Sequence, residues 1–261
     1  MLRLYVQLAR ASLRGQMQYK FNFIFSSVMV VFMFGIEFAT IGIVVARFGG
    51  IKGWDVYQVG YLFAIMMFVR AFYRMLAGEV NYFEKYLVEG NLDQLLLRPV
   101  PVLLVLTTRQ FRPMLGELVL GGATIAICIG HMIAAEQVTW IAIPLTAVVV
   151  VSGTTILFAI GLATATVGFW THRIDDLQRM TDDAASTASR LPLTIYPGWL
   201  RIGLLTVVPT GFAAYVPSLY VIRHEAGVWV LLATLAVAGV LLAGALKFWR
   251  FGIAHYQSTG T

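Results

Sequence analysis

Residues Asn22 to Ala46 read NFIFSSVMVVFMFGIEFATIGIVVA, and this run decides the fold class. Its one ionisable side chain is Glu37, and it exceeds the ~20 residues an α-helix needs to cross a hydrocarbon core. With no water to bond its N–H and C=O groups, a lipid-embedded run of this kind has to be helical. Similar runs occur at about Tyr57 to Gly78, Met114 to Ala134, Thr139 to Trp170 and Gly227 to Leu246. The whole chain agrees: 59% of its 261 residues are hydrophobic and 12% are charged, against roughly 25% charged in a soluble domain. A soluble fold could not hide so much apolar surface, because about a quarter of its unfolded surface stays exposed. The expected fold is an all-α membrane protein with about six transmembrane helices in a single domain, residues 1–261.

The chain flanking these runs gives the orientation. Residues 1–20 lack the apolar core of a cleavable signal and instead pattern as an amphipathic surface helix. Arg3, Gln7, Arg10 and Arg14 share one side of it; Leu2, Val6, Ala9 and Leu13 share another. Its Arg-rich, acid-poor character also resembles a mitochondrial transit peptide, but the pattern runs straight into a span. Basic residues concentrate in this segment and in the 79–113 loop, which carries Lys85, Arg98, Arg109 and Arg112. The positive-inside rule puts both in the cytoplasm, and Lys247 and Arg250 after the last span agree with an even number of crossings. Trp54 and Trp140 at one face, and Trp170 and Trp249 at the other, suit interfacial belts. Asp55 is placed to cap the second span. The formal charge of +6 lies beside apolar runs, so it marks orientation rather than a nucleic-acid surface. Cys128, the single cysteine, sits within an apolar run and excludes a disulfide framework.

The stretch 171–226 admits two readings. Hydropathy makes Ile202 to Ile222 the fifth span, although Pro209 and Pro217 would break its helix. Alternatively 174–191 crosses and 202–222 dips in and out from the outer side. The second reading carries Asp175, Asp176, Arg179, Asp182 and Asp183 into or beside the membrane, which is costly unless they face water or protein. The physical argument alone favours the first.

No phosphate-binding loop is present: none of Lys20, Lys52, Lys85 and Lys247 lies in a GxxxxGK[ST] context. His131, His172, His224 and His255 are too dispersed for a local metal motif. Ionisable groups inside spans are therefore the functional candidates: Glu37, the one-turn pair Arg70 and Arg74, and Glu117. The plainer reading has the arginines snorkelling to the cytoplasmic face, paired with Glu117. The loop reads Glu79-Val-Asn-Tyr-Phe-Glu84-Lys85-Tyr-Leu-Val-Glu89-Gly90-Asn91-Leu92-Asp93-Gln94-Leu95-Leu96-Leu97-Arg98-Pro99. Leu92, Leu95 and Leu96 fall at helical spacing between Gly90 and Pro99, which predicts a short amphipathic helix along the membrane.

At this loop the sequence resembles the permease subunits of bacterial type-2 ATP-binding-cassette exporters, in a six-span subfamily. The string Glu89-Gly90-Asn91-Leu92-Asp93-x-Leu95-Leu96-Leu97-Arg98-Pro99-Val100 carries the likeness. It is extended by Leu191-Pro192-Leu193-Thr194-Ile195-Tyr196-Pro197 and by Pro209, Phe212, Tyr215 and Pro217. The resemblance implies a bacterial inner-membrane permease with both termini cytoplasmic. It would pair with a second permease, in a homo- or heterodimer, and with two cytoplasmic ATPase subunits. This chain would then bind no cofactor of its own, ATP and Mg belonging to the partner, and would not be an enzyme. Glu84, Glu89, Gly90, Asn91, Asp93, Leu96, Arg98 and Pro99 would form the coupling surface, with the Leu92, Leu95 and Leu96 stripe seated in the ATPase groove. Residues 192–222 would be re-entrant, which tips the fifth crossing to 174–191. Glu37, Arg70, Asp182 and Asp183 become candidates for the substrate path. Lipid, peptide, antibiotic and sugar-polymer substrates all fit. The alternative from another class is a secondary transporter or channel driven by an ion gradient, for which no convincing internal repeat is seen.

Overall fold

The computed structural model describes residues 2–16, 20–109, 111, 113–171 and 173–256; Arg112 and His172 lie outside these, as does the side chain of Arg3. The described residues form helices and turns without a strand ladder. In chain order the helices are α1 (Leu2–Gln16), α2 (Lys20–Arg47), α3 (Val56–Ala77), α4 (Phe83–Val88), α5 (Asn91–Leu96), α6 (Val102–Arg109), α7 (Leu115–Ala134), α8 (Ala142–Thr171), α9 (Asp175–Arg190), α10 (Gly198–Thr206), α11 (Tyr215–Arg223) and α12 (Trp229–His255).

Five helices, α2, α3, α7, α8 and α12, are long and apolar enough to cross a membrane. They correspond to the five runs read from the sequence. Asp55 caps α3 as expected, its Oδ1 accepting from the Gln58 N–H at 2.7 Å. The last helix is longer than its apolar run, carrying Lys247 and Arg250 within its final turns rather than beyond them. The five do not share burial equally. Of the most apolar stretch of α3, 67% is buried inside the chain, whereas for α2 the figure is 6%. The centre is therefore α3 with α7 and α8, while α12 runs along α8 and α2 leans on α7 from outside. Where α2 meets α7 the backbones touch: a Cβ on Gly116 would lie 2.4 Å from the Ser27 carbonyl oxygen.

The bundle has two ends, one holding the 79–113 segment and the other the turn 48–55. The helix α9 joins them. Its first N–H groups bond Glu84 at the loop end. Just past its last turn, the Thr194 carbonyl accepts from Lys52 Nζ at 2.7 Å at the opposite end. Sixteen helical residues cover about 24 Å, less than a hydrocarbon core of about 30 Å, and α9 is both too short and too polar to be counted with the five apolar helices. The next segment returns to the end from which it starts. The α10 helix leads into a tight turn at 210–213, where the Ala213 carbonyl lies against Gly153 of α8. The chain then climbs through α11 until Arg223 Nη1 donates to the Gly53 carbonyl at 2.8 Å. The two apolar halves, 198–206 and 210–223, meet at 69°, so they form a bent hairpin rather than one straight helix. Pro209 at the bend explains it, since proline removes an N–H and excludes the preceding turn.

Two expectations about tryptophan are corrected. Trp140 and Trp170 are exposed, as belt residues are, but Trp54 and Trp249 are each 3% exposed. Trp54 packs against Tyr215 beneath the Arg223 guanidinium, 4.7 Å from its ring centre. Trp249 packs edge-on with Phe83 and tilted against Phe169, inside the loop end of the bundle.

Candidate functional site

The 79–113 segment holds three short helices rather than one. Between α4 and α5 the chain reverses at Gly90, whose φ of 68° favours glycine. Beneath α4 lies Glu79, fully buried. A buried carboxylate must be paired, and here Lys85 Nζ sits 3.0 Å from its Oε2 while the Tyr86 hydroxyl donates to it. Arg109 Nη1, on α6, donates to the Tyr86 oxygen at 3.2 Å. Burial raises the Tyr86 pKa and the Glu79 carboxylate raises it further, which keeps the hydroxyl protonated and donating.

Phe83 and Leu87 pin α4 to the membrane helices. Phe83 stacks edge-on with Phe169 of α8 and Trp249 of α12. Leu87 fills the space above Gly168, where a Cβ would stand 2.7 Å from its Cδ1. Glu84 makes the third tie: its Oε2 accepts the N–H of Ile174 at 2.5 Å and of Asp175 at 2.7 Å. These are the unsatisfied donors that open α9, so a carboxylate on α4 caps a helix 90 residues away. Desolvation pushes the Glu84 pKa up, but the two N–H bonds and Arg173 outweigh it and hold the carboxyl below its usual value.

The expected coupling residues therefore divide. Glu84 is turned to α9. Leu92 and Leu95 are buried within the chain, so the leucine stripe does not face a partner as a whole. Leu96 remains outward, with Leu97 at 86% exposure beside it. Glu89, Arg98 and Pro99 are exposed as well. Asn91 donates to Glu89 Oε2 at 2.7 Å, holding that carboxylate at the α4–α5 turn. Asp93 is half-buried near Tyr256, just past α12, where burial and its charge raise the tyrosine pKa.

A second constellation lies inside the bundle, between α2, α3, α7 and α9. Arg74 Nη1 meets Glu117 Oε1 at 3.0 Å, the pairing expected from the sequence. Arg70, one turn away, lies in the field of Arg74, Asp182, Glu117 and Glu37. Glu37, Arg70, Arg74, Glu117 and Ser186 line one small pocket. Toward the loop end it adjoins a polar cleft of about 450 Å³ lined by Arg74, Asn81, Asp175, Gln178, Arg179 and Asp182, among others. Of the four substrate-path candidates, Glu37, Arg70 and Asp182 are thus brought together. Asp183 is not: it is exposed on another face of α9. Sequence reasoning passed over Asn81, in the turn between α3 and α4, which carries no signal, and Gln178, whose only signal is the amphipathic pattern of α9. Gln178 Nε2 donates to the Val80 carbonyl at 3.0 Å, and its Oε1 has no partner among the described residues.

Among the described residues no cluster of His, Cys, Asp or Glu could hold a metal ion. The architecture is that of a membrane domain whose charged interior cleft abuts a surface platform of short helices. No curated protein matches the chain significantly. A family model described as ABC-2 family transporter protein matches residues 31–260, nearly the whole length. The chain belongs to the ABC-2 transporter family and is a multi-pass transmembrane transporter subunit.

Proposed function

We propose that this chain is the permease of an ATP-driven exporter in the bacterial inner membrane, working with a second permease and two cytoplasmic ATPase subunits. ATP and Mg belong to those partners. The observation that carries the reading is the way α4 and α5 are held. Phe83 and Leu87 key the platform into α8 and α12, and Glu84 caps α9. Leu96, Leu97, Glu89 and Arg98 point away from the chain. A partner that pushes on these outward groups displaces three membrane helices at once. An ordinary loop resting on lipid would have no use for a capping bond across the platform.

In this reading the 79–113 end, α1 and both termini are cytoplasmic. The fifth of six crossings is α9, the segment 192–222 is re-entrant from outside, and Glu37, Arg70 and Asp182 line the substrate path. The lack of apolarity in α9 suits a helix whose charges face water or protein rather than lipid.

The test is docking. Leu96→Asp places a carboxylate where an apolar groove is expected, and Arg98→Glu reverses a charge that could make one charge-assisted bond, worth about 1.5–3 kcal/mol. Both sites are exposed, so insertion and yield should be unchanged. The ATPase subunit should be lost from affinity-purified permease, about tenfold for each variant. Normal co-purification and transport in both would mean that the platform does not engage an ATPase.

A further inference from the structure

Arg74 is the junction of two cavities with opposite chemistry. On one side is the 450 Å³ cleft, where Arg74 and Arg179 face Asp175 and Asp182 across a small space. It holds both signs of charge without a surplus of either. Within it Arg179 and Asp175 are 3.9 Å apart, too far for a hydrogen bond, so neither charge is fully used by the other. Its wall also contains Gln178, more than nine-tenths buried, whose Nε2 is fixed on the Val80 carbonyl and whose Oε1 no described donor satisfies. A buried acceptor of this kind calls for a donor from elsewhere.

On the other side of Arg74 is a slot of about 170 Å³ between α2 and α7. Phe23, Val30, Met114 and Leu115 make most of its lining apolar, with Ser26, Ser27 and the Arg74–Glu117 pair at its edge. It lies beside the most loosely packed helix of the bundle, whose outer face carries exposed Ile24, Val28 and Phe32. The slot therefore adjoins lipid at the same end of the bundle as the charged cleft.

A polar chamber with balanced charge, joined through an arginine to an apolar slot at the lipid face, matches the two halves of one kind of molecule. We propose that it binds a zwitterionic amphiphile, a head group with a phosphate and a primary ammonium on at least one acyl chain, entering between α2 and α7. Arg179 takes the phosphate together with Arg74, which keeps its bond to Glu117 through Nη1; Asp175 and Asp182 take the ammonium, and the chain lies in the slot. An anionic lipid lacks the ammonium, and a soluble zwitterion lacks the chain. The proposal rests on the transporter reading above and gives its substrate path a chemical class.

The experiment uses the full chain purified alone, so that a failure of ATPase docking leaves it unaffected. Detergent-solubilised protein is incubated with phosphatidylethanolamine, lysophosphatidylethanolamine, phosphatidylglycerol or diacylglycerol, and retained lipid is counted by native mass spectrometry. The ethanolamine lipids should be retained about tenfold over the other two, the difference of one charge-assisted contact. Preference for the one-chain form would mark a cargo and preference for the two-chain form a bilayer lipid; either upholds the proposal. Asp182→Asn should lower retention of the ethanolamine lipids to the phosphatidylglycerol level. Val30→Trp, which fills the slot, should lower retention of all the phospholipids. Should Asp182→Asn fail to yield a monodisperse protein, Arg179→Gln at an exposed position of the same cleft replaces it and should weaken both phospholipid classes. Equal retention of all four probes by the unaltered chain, or ethanolamine-lipid retention untouched by the cleft and slot variants, would overturn it.

Discussion

Glu84 lies in a loop where a carboxylate would ordinarily be a solvated charge, yet it is half-buried and accepts two backbone N–H bonds at the start of α9. The helix has no capping side chain of its own: Ile174 stands at its N-cap position. Replacing an N-cap acceptor typically costs about 1 kcal/mol. Glu84→Gln keeps one acceptor oxygen but loses the charge, so it should destabilise the detergent-solubilised chain by about that amount, read as a lowered midpoint of thermal unfolding. The sign with pH follows from linkage. The folded-state pKa of Glu84 is depressed; its contribution is therefore complete above the unfolded-state value and disappears as pH falls through the folded one. The gap between the wild type and Glu84→Gln should be full at pH 7 and should narrow in the acid range below the ordinary glutamate pKa. A gap independent of pH would mean that the charge plays no part in the cap. No sequence signal announces such a residue, because a cap supplied by another helix leaves no fixed spacing. Glu79 was equally silent: its role depends on being covered by α4 and α6, which only packing brings over it.

At the scale of elements, α9 and the hairpin after it set the topology. A Cβ on Gly153 would stand 2.2 Å from the Ala213 carbonyl oxygen, so the turn at 210–213 rests directly on the backbone of α8, eleven residues below its start. The segment reaches about 16 Å into the bundle and comes back. Trp199, which is exposed on α10, follows closely on Thr194, the partner of Lys52. If that end faces outward, Trp199→Cys in a Cys128→Ala background should react fully with an impermeant maleimide added to spheroplasts. Labelling only after the membrane is opened would place residues 171–201 in the cytoplasm instead. The five apolar helices were legible because lipid imposes a run length and forbids charges, so each announces itself. A hydropathy reading passes over α9 because the charged cleft and Glu84, rather than apolarity, hold this helix in place; only the motif resemblance pointed to 174–191 as a crossing. The tryptophans were misjudged for a related reason. An indole suits an interface and a packed core alike, and the sequence does not say that Phe83 and Phe169 converge on Trp249 or that Arg223 covers Trp54.

For the molecule as a whole, the polar faces of α9 raise a question of solvent. One face lines the internal cleft with Gln178 and Asp182. Another leaves Asp176 and Asp183 exposed at the surface of the single chain. A charged side chain facing hydrocarbon near the centre of a helix costs roughly 2.5–3.5 kcal/mol by insertion scales. With α9 as a crossing, that cost falls in full on Asp183 at mid-helix, and less on Asp176 in the first turn. Water or protein must cover them, and the second permease proposed above, set against α9, would supply both a wall and an aqueous seam. By contrast, the exposed face of α2, with Met33 and Ile43, is apolar and suits lipid. The contrast can be measured in membranes holding the assembled transporter. In a Cys128→Ala background, Asp183→Cys should react with a charged, water-borne thiosulfonate at least about tenfold faster than Met33→Cys, because a thiolate does not form in hydrocarbon. Equal, slow reaction at both positions would put α9 against lipid. Its charges would then have no solvent at all, and the six-crossing arrangement would have to give way to one in which α9 lies outside the membrane.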